Sequence, residues 1–174
     1  MKEVFYIKAI GLQIITLCTL FLCACHKEDA DAYTMNAQDF MISLLKEQAF
    51  QMALTERLGK NPSRKGVEET VNARKKFSAD YILEIHSLNF SSQIPSSVSL
   101  SAEQSGILSA IDQKSGSSYE EELLKRLIDS DQGMITFHVK AASSSGVSDG
   151  LIRNWAKAKL PALRANLSQT QDLK

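Results

Sequence analysis

From Asn36 onward, apolar residues recur at intervals of three and four rather than two. This spacing is typical of amphipathic helices. Asn36 is a good N-cap for a first helix, and Gly59-Lys60-Asn61-Pro62 ends it because Gly suits the C-cap and Pro cannot continue a helix. The apolar positions of this predicted helix are Phe40, Met41, Leu44, Leu45, Met52 and Leu58.

A second helix is predicted from about Ser63. Its stripe consists of Val67, Val71, Ser78, Tyr81, Ile85 and Leu88, widened by Phe77 and Ile82. A Ser-rich loop follows at residues 91–100. Ser101 with Gln104 forms a capping-box pattern that opens a short third helix, and Ser115-Gly116-Ser117 ends it.

Two more long helices complete the pattern. Ser118 with Glu121 is a second capping-box pattern, and the segment Ser143-Ser144-Ser145-Gly146 ends the helix that it opens. The stripe of that helix is Leu123, Leu124, Leu127, Ile128, Asp131, Met134, Ile135 and His138. The last helix is predicted from Ser148, with a kink at Pro161. Its expected buried positions are Leu151, Ile152, Trp155, Leu160, Leu163 and Leu167.

The predicted fold class is therefore all-α. Four long amphipathic helices and one short one favour an up-and-down four-helix bundle over residues 36–174. The loop and short helix between the second and fourth helices could act as a crossover connection.

The N-terminus has a different pattern. Lys2 and Lys8 precede 16 residues without charge, from Ala9 to Ala24. A membrane-spanning helix needs about 20 apolar residues, so the run is short for one. A basic start, a short apolar run and small residues before a break indicate a signal peptide at residues 1–24.

That run closes on a motif that resembles the lipobox of bacterial lipoprotein precursors, Leu22-Cys23-Ala24-Cys25. The resemblance implies that Cys25 carries the lipid and becomes the first mature residue, and that the protein is an outer membrane lipoprotein. An uncleaved membrane anchor is the alternative. Cys23 is a competing lipid site, although Leu22 is a poor small residue before it. Residues 25–35 are then the lipidated Cys and a flexible tether.

Lys27-Glu28-Asp29 resembles the export signal of Bacteroidota surface lipoproteins. That resemblance implies the cell-surface face of the outer membrane. A charged, solvated tether on the periplasmic face is the alternative. The expected partner is in either case the membrane, reached through the N-terminal lipid.

Composition excludes some classes of protein. The chain has 174 residues, with 20 Lys and Arg against 20 Asp and Glu. This balance excludes a strongly basic nucleic-acid binder. All three Cys residues lie in the leader or at the lipid site, so the mature chain is expected to have no disulfide.

Residues 38–173 resemble a bacterial family of secreted, ferritin-like four-helix proteins of unknown function. The most specific match is Leu160-Pro161-Ala162-Leu163 with Leu167, and Asp80 fits the Asp of the family's Asp-His pair. Further matches lie at Tyr119, Leu123–Ile128, Ile135 and Phe137. The resemblance implies a ferritin-like bundle.

The family pattern has three histidines: one in the Asp-His pair, one in a later helix and one after Leu-Pro in the last helix. Their positions fall on Tyr81, Asp131 and Asn166 of this sequence, and none of these is a His. A phenol, a carboxylate and an amide are a poor ligand set for a first-row metal. We therefore expect no metal and no cofactor, and we expect these three side chains to hydrogen-bond to one another in a buried polar cluster. A small-ligand or residual metal site, or exposure of some positions, are the alternatives.

Other candidate residues carry less weight. His86 and His138 are interpreted as ordinary surface or half-buried histidines, and Trp155 as a core residue. Arg64-Lys65 and Arg74-Lys75-Lys76 are interpreted as one solvated basic face, with contact to anionic lipid as the alternative. The sequence has no Glu-x-x-His motif and no identifiable nucleophile–base pair.

Together these features favour a lipid-anchored, non-catalytic protein of the cell envelope, with a structural, binding or stress-related role. A ferritin-like protein that binds a metal or small ligand at a degenerate central site is the alternative.

Overall fold

The structure, a computed structural model, describes residues 33–60, 62–88 and 94–174. The predicted signal peptide, Cys25 and most of the predicted tether lie outside these residues. The described helices are α1 (Ala37–Lys60), α2 (Val67–Ser87), α3 (Ala102–Asp112), α4 (Gly116–Ala141) and α5 (Gly150–Gln171). The all-α prediction is confirmed for the described residues, which contain no strand beyond one isolated bridge between Met35 and Val147.

Local polar residues set most of the helix starts. The Asn36 side chain accepts hydrogen bonds from the backbone N–H groups of Gln38 and Asp39, at 2.8 and 3.2 Å, as an N-cap does. The capping box of Ser101 and Gln104 is confirmed, with both reciprocal bonds present at 3.0 and 3.1 Å.

The three remaining helix starts differ from the prediction. α2 begins at Val67, after Gly66, rather than near Ser63. Ser118 lies inside α4 and donates its hydroxyl to the carbonyl of Ser115, so it caps nothing. The start of α5 is set by Asp149, whose carboxylate accepts from the Ile152 N–H at 2.9 Å. This start fixes the faces of α5: Ile152 is buried, and Leu151 beside it is 64% exposed, contrary to prediction. α5 is one continuous helix through Pro161.

The main helix contacts are α4 with α5, α1 with α2 and α1 with α4. Smaller contacts join α3 to α4 and α2 to α5. The long helices thus surround a shared interior in a bundle-like fold, while α3 packs on the outside of it.

Contacts at two levels give the helix directions. Arg74 pairs with Asp131, and seven residues later on both helices Tyr81 bonds to His138, so α2 and α4 run in the same direction. Gln51 bonds to Asp131 while Phe40, earlier in α1, lies against His138, so α1 runs opposite to α4. The expected simple up-and-down order is therefore wrong. The connection through α3 is a crossover that lets α4 repeat the direction of α2.

The interior contains two apolar clusters. One lies around Phe40, Met41, Ile85, Met134 and Ile152, near the start of α1. The other lies around Leu54, Leu58, Val71, Leu124 and Leu127, near its end. Burial of these side chains supplies most of the driving force for folding.

Residues 33–35, predicted to be part of the flexible tether, belong to the folded unit Tyr33–Lys174. The backbone N–H groups of Thr34 and Met35 donate to the carbonyls of Ser145 and Gly146, at 2.9 and 3.1 Å. Local composition does not reveal backbone pairing of this kind, so residues 33–35 have the composition of a flexible tether although they are paired.

Candidate functional site

A buried ion pair joins α2 and α4 in the interior. The Arg74 guanidinium donates from Nη2 to Asp131 Oδ1 at 2.8 Å and from Nη1 to Oδ2 at 2.9 Å. Their side chains are only 3% and 1% exposed. This is the bidentate arrangement in which a guanidinium binds a carboxylate most strongly.

The other long helices complete this site, which we call the Arg74 network. From α5, the Thr170 hydroxyl accepts from Arg74 Nη1 at 2.8 Å, and the Asn166 carbonyl accepts from the same atom at 3.4 Å. From α1, Gln51 Nε2 donates to Asp131 Oδ1 at 3.0 Å. All four long helices therefore contribute polar groups to one buried network.

The network extends along α1. Gln51 Nε2 also donates to the Ser130 hydroxyl at 2.9 Å, and that hydroxyl donates to Glu47 Oε1. Gln48 is fully buried and donates from Nε2 to Gln51 Oε1 at 3.3 Å. Gln48 Oε1 is buried, and no group in the described part of the chain donates to it. It is the unsatisfied acceptor of an otherwise connected network.

Burial and hydrogen bonding have opposite effects on the pKa of Asp131. Burial raises the pKa of its carboxyl above the ordinary value, while the bonds from Arg74 and Gln51 lower it. The Arg74 guanidinium and the Asp131 carboxyl face each other away from solvent. The site is therefore a shielded pair whose two groups satisfy each other.

A second buried polar pair, Tyr81 and His138, lies two helical turns from the Arg74 network. The Tyr81 hydroxyl lies 2.8 Å from His138 Nε2, and His138 Nδ1 lies 2.8 Å from the Met134 carbonyl. A carbonyl can only accept, so Nδ1 carries the proton and Nε2 accepts from the phenol. Burial lowers the pKa of His138 to about 4 and raises the pKa of Tyr81 well above its ordinary value.

Aromatic rings surround this pair. The Trp155 ring centroid is 5.2 Å from that of Tyr81 and 5.7 Å from that of His138. Trp155 Nε1 donates to Glu84 Oε2 at 2.8 Å, and Glu84 is paired with Lys159. Trp155 packs against the core as predicted, but it is half-buried rather than buried. Its indole N–H is satisfied by Glu84.

The three predicted central residues do not form one cluster. Tyr81, Asp131 and Asn166 are all buried, so none faces solvent. Asp131 and the Asn166 carbonyl both meet Arg74, whereas Tyr81 bonds to His138. The expectation that the three hydrogen-bond to one another is wrong in this respect. Two helical turns, about 10 Å of rise, separate Tyr81 from the level of Arg74.

Two residues of these sites differ from the prediction. His138, predicted to be a surface or half-buried histidine, is fully buried. Arg74, predicted to belong to a solvated basic face, is buried, whereas Lys65, Lys75 and Lys76 are exposed. The spacing agrees with this burial, because Arg74 stands three residues after Val71 and four before Ser78, on the apolar stripe of α2. His86 is half-buried, and Asp80, matched to the family's Asp, is exposed.

The side chains present do not fit a metal ion. Both oxygens of Asp131 already accept hydrogen bonds, and the positive guanidinium of Arg74 would repel a cation beside them. Among residues 33–60, 62–88 and 94–174, no group of three or more His, Cys, Asp or Glu side chains is arranged to hold a metal ion.

Within the part of the chain that the structure describes, no helix is both long and apolar enough to cross a membrane. Comparison with protein-family models, curated proteins and solved structures finds no match to this chain.

Proposed function

We propose that this chain is the precursor of a lipid-anchored, non-catalytic protein of the cell envelope. In this proposal Cys25 carries the lipid, and the mature domain is a ferritin-like four-helix bundle at the outer membrane, on its periplasmic or cell-surface face. The single observation that carries the non-catalytic assignment is the Arg74 network, in which a guanidinium and a carboxylate satisfy each other in the interior.

The helix arrangement supports the ferritin-like assignment. α1 packs on α2 and α4, α5 packs on α4 and α2, and α3 lies in the one long crossover. A single crossover between the second and third long helices is the connectivity of ferritin-like bundles. In that fold class metal sites are built from carboxylates and histidines on the facing helices. The Arg74 network lies between all four long helices, so its fixed cation stands where such a site would be.

The anchoring part of the proposal is supported by residues 1–25. A basic start, an uncharged run of 16 residues and the motif Leu22-Cys23-Ala24-Cys25 together have the form of a lipoprotein leader. A thiol at the cleavage site is the nucleophile that accepts the diacylglycerol.

Cell fractionation of Cys variants tests the anchor. Cys25→Ser should abolish incorporation of labelled palmitate and move the protein out of the membrane fraction or leave it as uncut precursor. Cys23→Ser is the matched control and should behave as wild type. Normal lipid labelling of Cys25→Ser would contradict the proposal.

One observation favours the alternative, a site for a metal or small ligand. Gln48 Oε1 is a buried acceptor to which none of the described residues donates, which is uncommon for a buried polar atom. Metal analysis of purified residues 26–174 separates the two functions. This fragment is suitable because Tyr33–Lys174 forms one compact unit.

We expect no stoichiometric metal. Stoichiometric iron, zinc or manganese that is lost in Asp131→Ala and kept in Asp112→Ala, a change at an exposed carboxylate, would favour the alternative.

A further inference from the structure

The exposed apolar side chains are distributed unevenly along the bundle. In the described part of the chain, the large hydrophobic residues that are exposed are Leu83, Val139 and Leu151, at 68%, 49% and 64%. Leu83 lies four residues before the end of α2, Val139 two before the end of α4, and Leu151 is the second residue of α5. At 1.5 Å of rise per residue, all three lie within about 6 Å of a helix end.

These three helix ends lie at the same end of the bundle. α2 and α4 run in the same direction, so their C-terminal ends are neighbours, and α5 begins immediately after the turn that follows α4. We call this the Leu151 end. Its three exposed apolar residues stand on three different helices, each close to the helix end.

The chain also enters the folded unit at the Leu151 end. Met35 is bridged to Val147, in the turn between α4 and α5, and the Tyr33 ring lies 5.4 Å from the Arg153 guanidinium carbon. Cys25 precedes Tyr33 by eight residues, and an extended chain covers at most about 3.6 Å per residue. A lipid on Cys25 therefore keeps the Leu151 end within about 29 Å of the bilayer.

The charges at this end are mixed. Lys140 is exposed in the last turn of α4, and Asp39 is exposed in the first turn of α1, which begins at the same end. Arg153 is half-buried and donates to the Val147 carbonyl at 2.8 Å, and the Asp149 carboxylate caps α5 at 2.9 Å from the Ile152 N–H. Affinity of this end for a bilayer would therefore come from burial of its apolar side chains rather than from net positive charge.

We infer that the Leu151 end is a membrane-contact surface, on which the bundle stands end-on with Leu83, Val139 and Leu151 in the headgroup layer. The inference rests on the proposed lipid anchor at Cys25 and adds an orientation to it. The chain enters the folded unit at this end, so a bilayer reached through Cys25 is the surface that the chain itself brings to these residues. Seating the end by about 6 Å matches the depth at which interfacial apolar groups are buried.

The test attaches the chain to a membrane chemically, so that it does not depend on cellular lipidation. Residues 25–174 are coupled through the Cys25 thiol to a maleimide phospholipid. The vesicles contain phosphatidylethanolamine and phosphatidylglycerol in equal amounts, with or without brominated acyl chains. Trp155 is the only Trp in the chain, so Trp155→Phe gives a silent background for single Trp probes.

The probes are Leu151→Trp and Leu83→Trp at the Leu151 end, with Gln169→Trp as the matched exposed control near the other end of α5. Circular dichroism of each variant confirms the helical fold before coupling. Brominated lipid should remove most of the emission of the first two probes and leave that of the third unchanged.

Equal quenching of all three probes, or no quenching of Leu151→Trp and Leu83→Trp in coupled protein, would overturn the membrane-contact surface. Neither result bears on the lipid anchor, which the Cys25→Ser fractionation tests separately. Failure of that fractionation removes the anchor without changing what the coupled vesicles report, so the two failures are distinguishable.

Discussion

Arg74 and Asp131 are 57 residues apart in sequence, and the same interval separates Tyr81 from His138. Because α2 and α4 run in the same direction, a step of seven residues along both helices, two turns, leads from one pair to the other. The two pairs bridge the same helices with different chemistry. One is an ion pair, and the other is a neutral phenol–imidazole bond whose neutrality follows from burial.

Breaking the ion pair from one side should destabilise the fold strongly. Arg74→Met leaves the Asp131 carboxylate buried without its cation, and we expect a loss of about 3–5 kcal/mol in the free energy of unfolding. The double variant Arg74→Met/Asp131→Leu should lose less than either single variant, because it buries no lone charge. Urea unfolding of the four chains gives the coupling energy.

The matched control for this cycle is the exposed pair of Arg57 and Asp112. Its Nε–Oδ1 distance is 2.9 Å, but its side chains are 24% and 47% exposed. Solvent screens such a pair, so Arg57→Met should cost below about 1 kcal/mol. If the two single Arg variants lose the same stability, burial is not what makes the Arg74 network important.

Stability should fall as the pH drops from about 6.5 to about 4, because of His138. Its pKa is lowered from 6.5 to about 4 in the folded state, so over this range the unfolded chain binds the proton that the folded chain refuses. The stability contribution is present above the unfolded pKa and is lost as the pH falls toward the folded one. Its upper limit is about 3 kcal/mol.

Comparison of variants isolates this effect from the carboxylates, which also titrate at acid pH. His138→Gln keeps an acceptor for the Tyr81 hydroxyl and removes the titrating ring, so its stability should depend less on pH between 4 and 6.5 than that of wild type. His86→Gln makes the same substitution at a half-buried histidine outside both polar sites and is the matched control. Identical slopes for wild type and His138→Gln would refute the assignment.

The helices and most of their buried faces could be predicted from sequence because both depend on local spacing. Tyr81, Ile85 and Leu163 follow their stripes and are buried. The Arg74 network could not be predicted as a unit, because its pairing spans 57 residues and depends on the crossover that makes α2 and α4 parallel. The same limit applies to Tyr81, whose partner follows from helix direction and not from its own neighbours.

The two Ser-based capping patterns, at Ser101 and Ser118, allow a comparison of a prediction that the structure confirms with one that it does not. Ser101 caps α3 through its hydroxyl, so Ser101→Ala should lower the free energy of unfolding by about 1 kcal/mol. Ser118 has the same sequence pattern but lies inside α4, so Ser118→Ala should be nearly neutral. Thermal unfolding followed by circular dichroism compares them. Equal losses would show that sequence pattern, rather than position in the helix, determines the cap.

Two glycines of the same chain should respond in opposite directions to alanine. At Gly146 an added Cβ would lie 2.3 Å from the Ala141 carbonyl oxygen and 2.4 Å from that of Lys140. Relief of this overlap would move the Gly146 backbone, whose carbonyl accepts from Met35 at 3.1 Å and fastens the chain entry to the Leu151 end. Gly146→Ala should therefore lower the free energy of unfolding by about 2 kcal/mol or more.

Gly133 is exposed inside α4 with open space around it, so Gly133→Ala should raise the free energy of unfolding by about 1 kcal/mol through helix propensity. Urea unfolding checks both, and a Gly146→Ala chain as stable as wild type would show that this turn can shift freely.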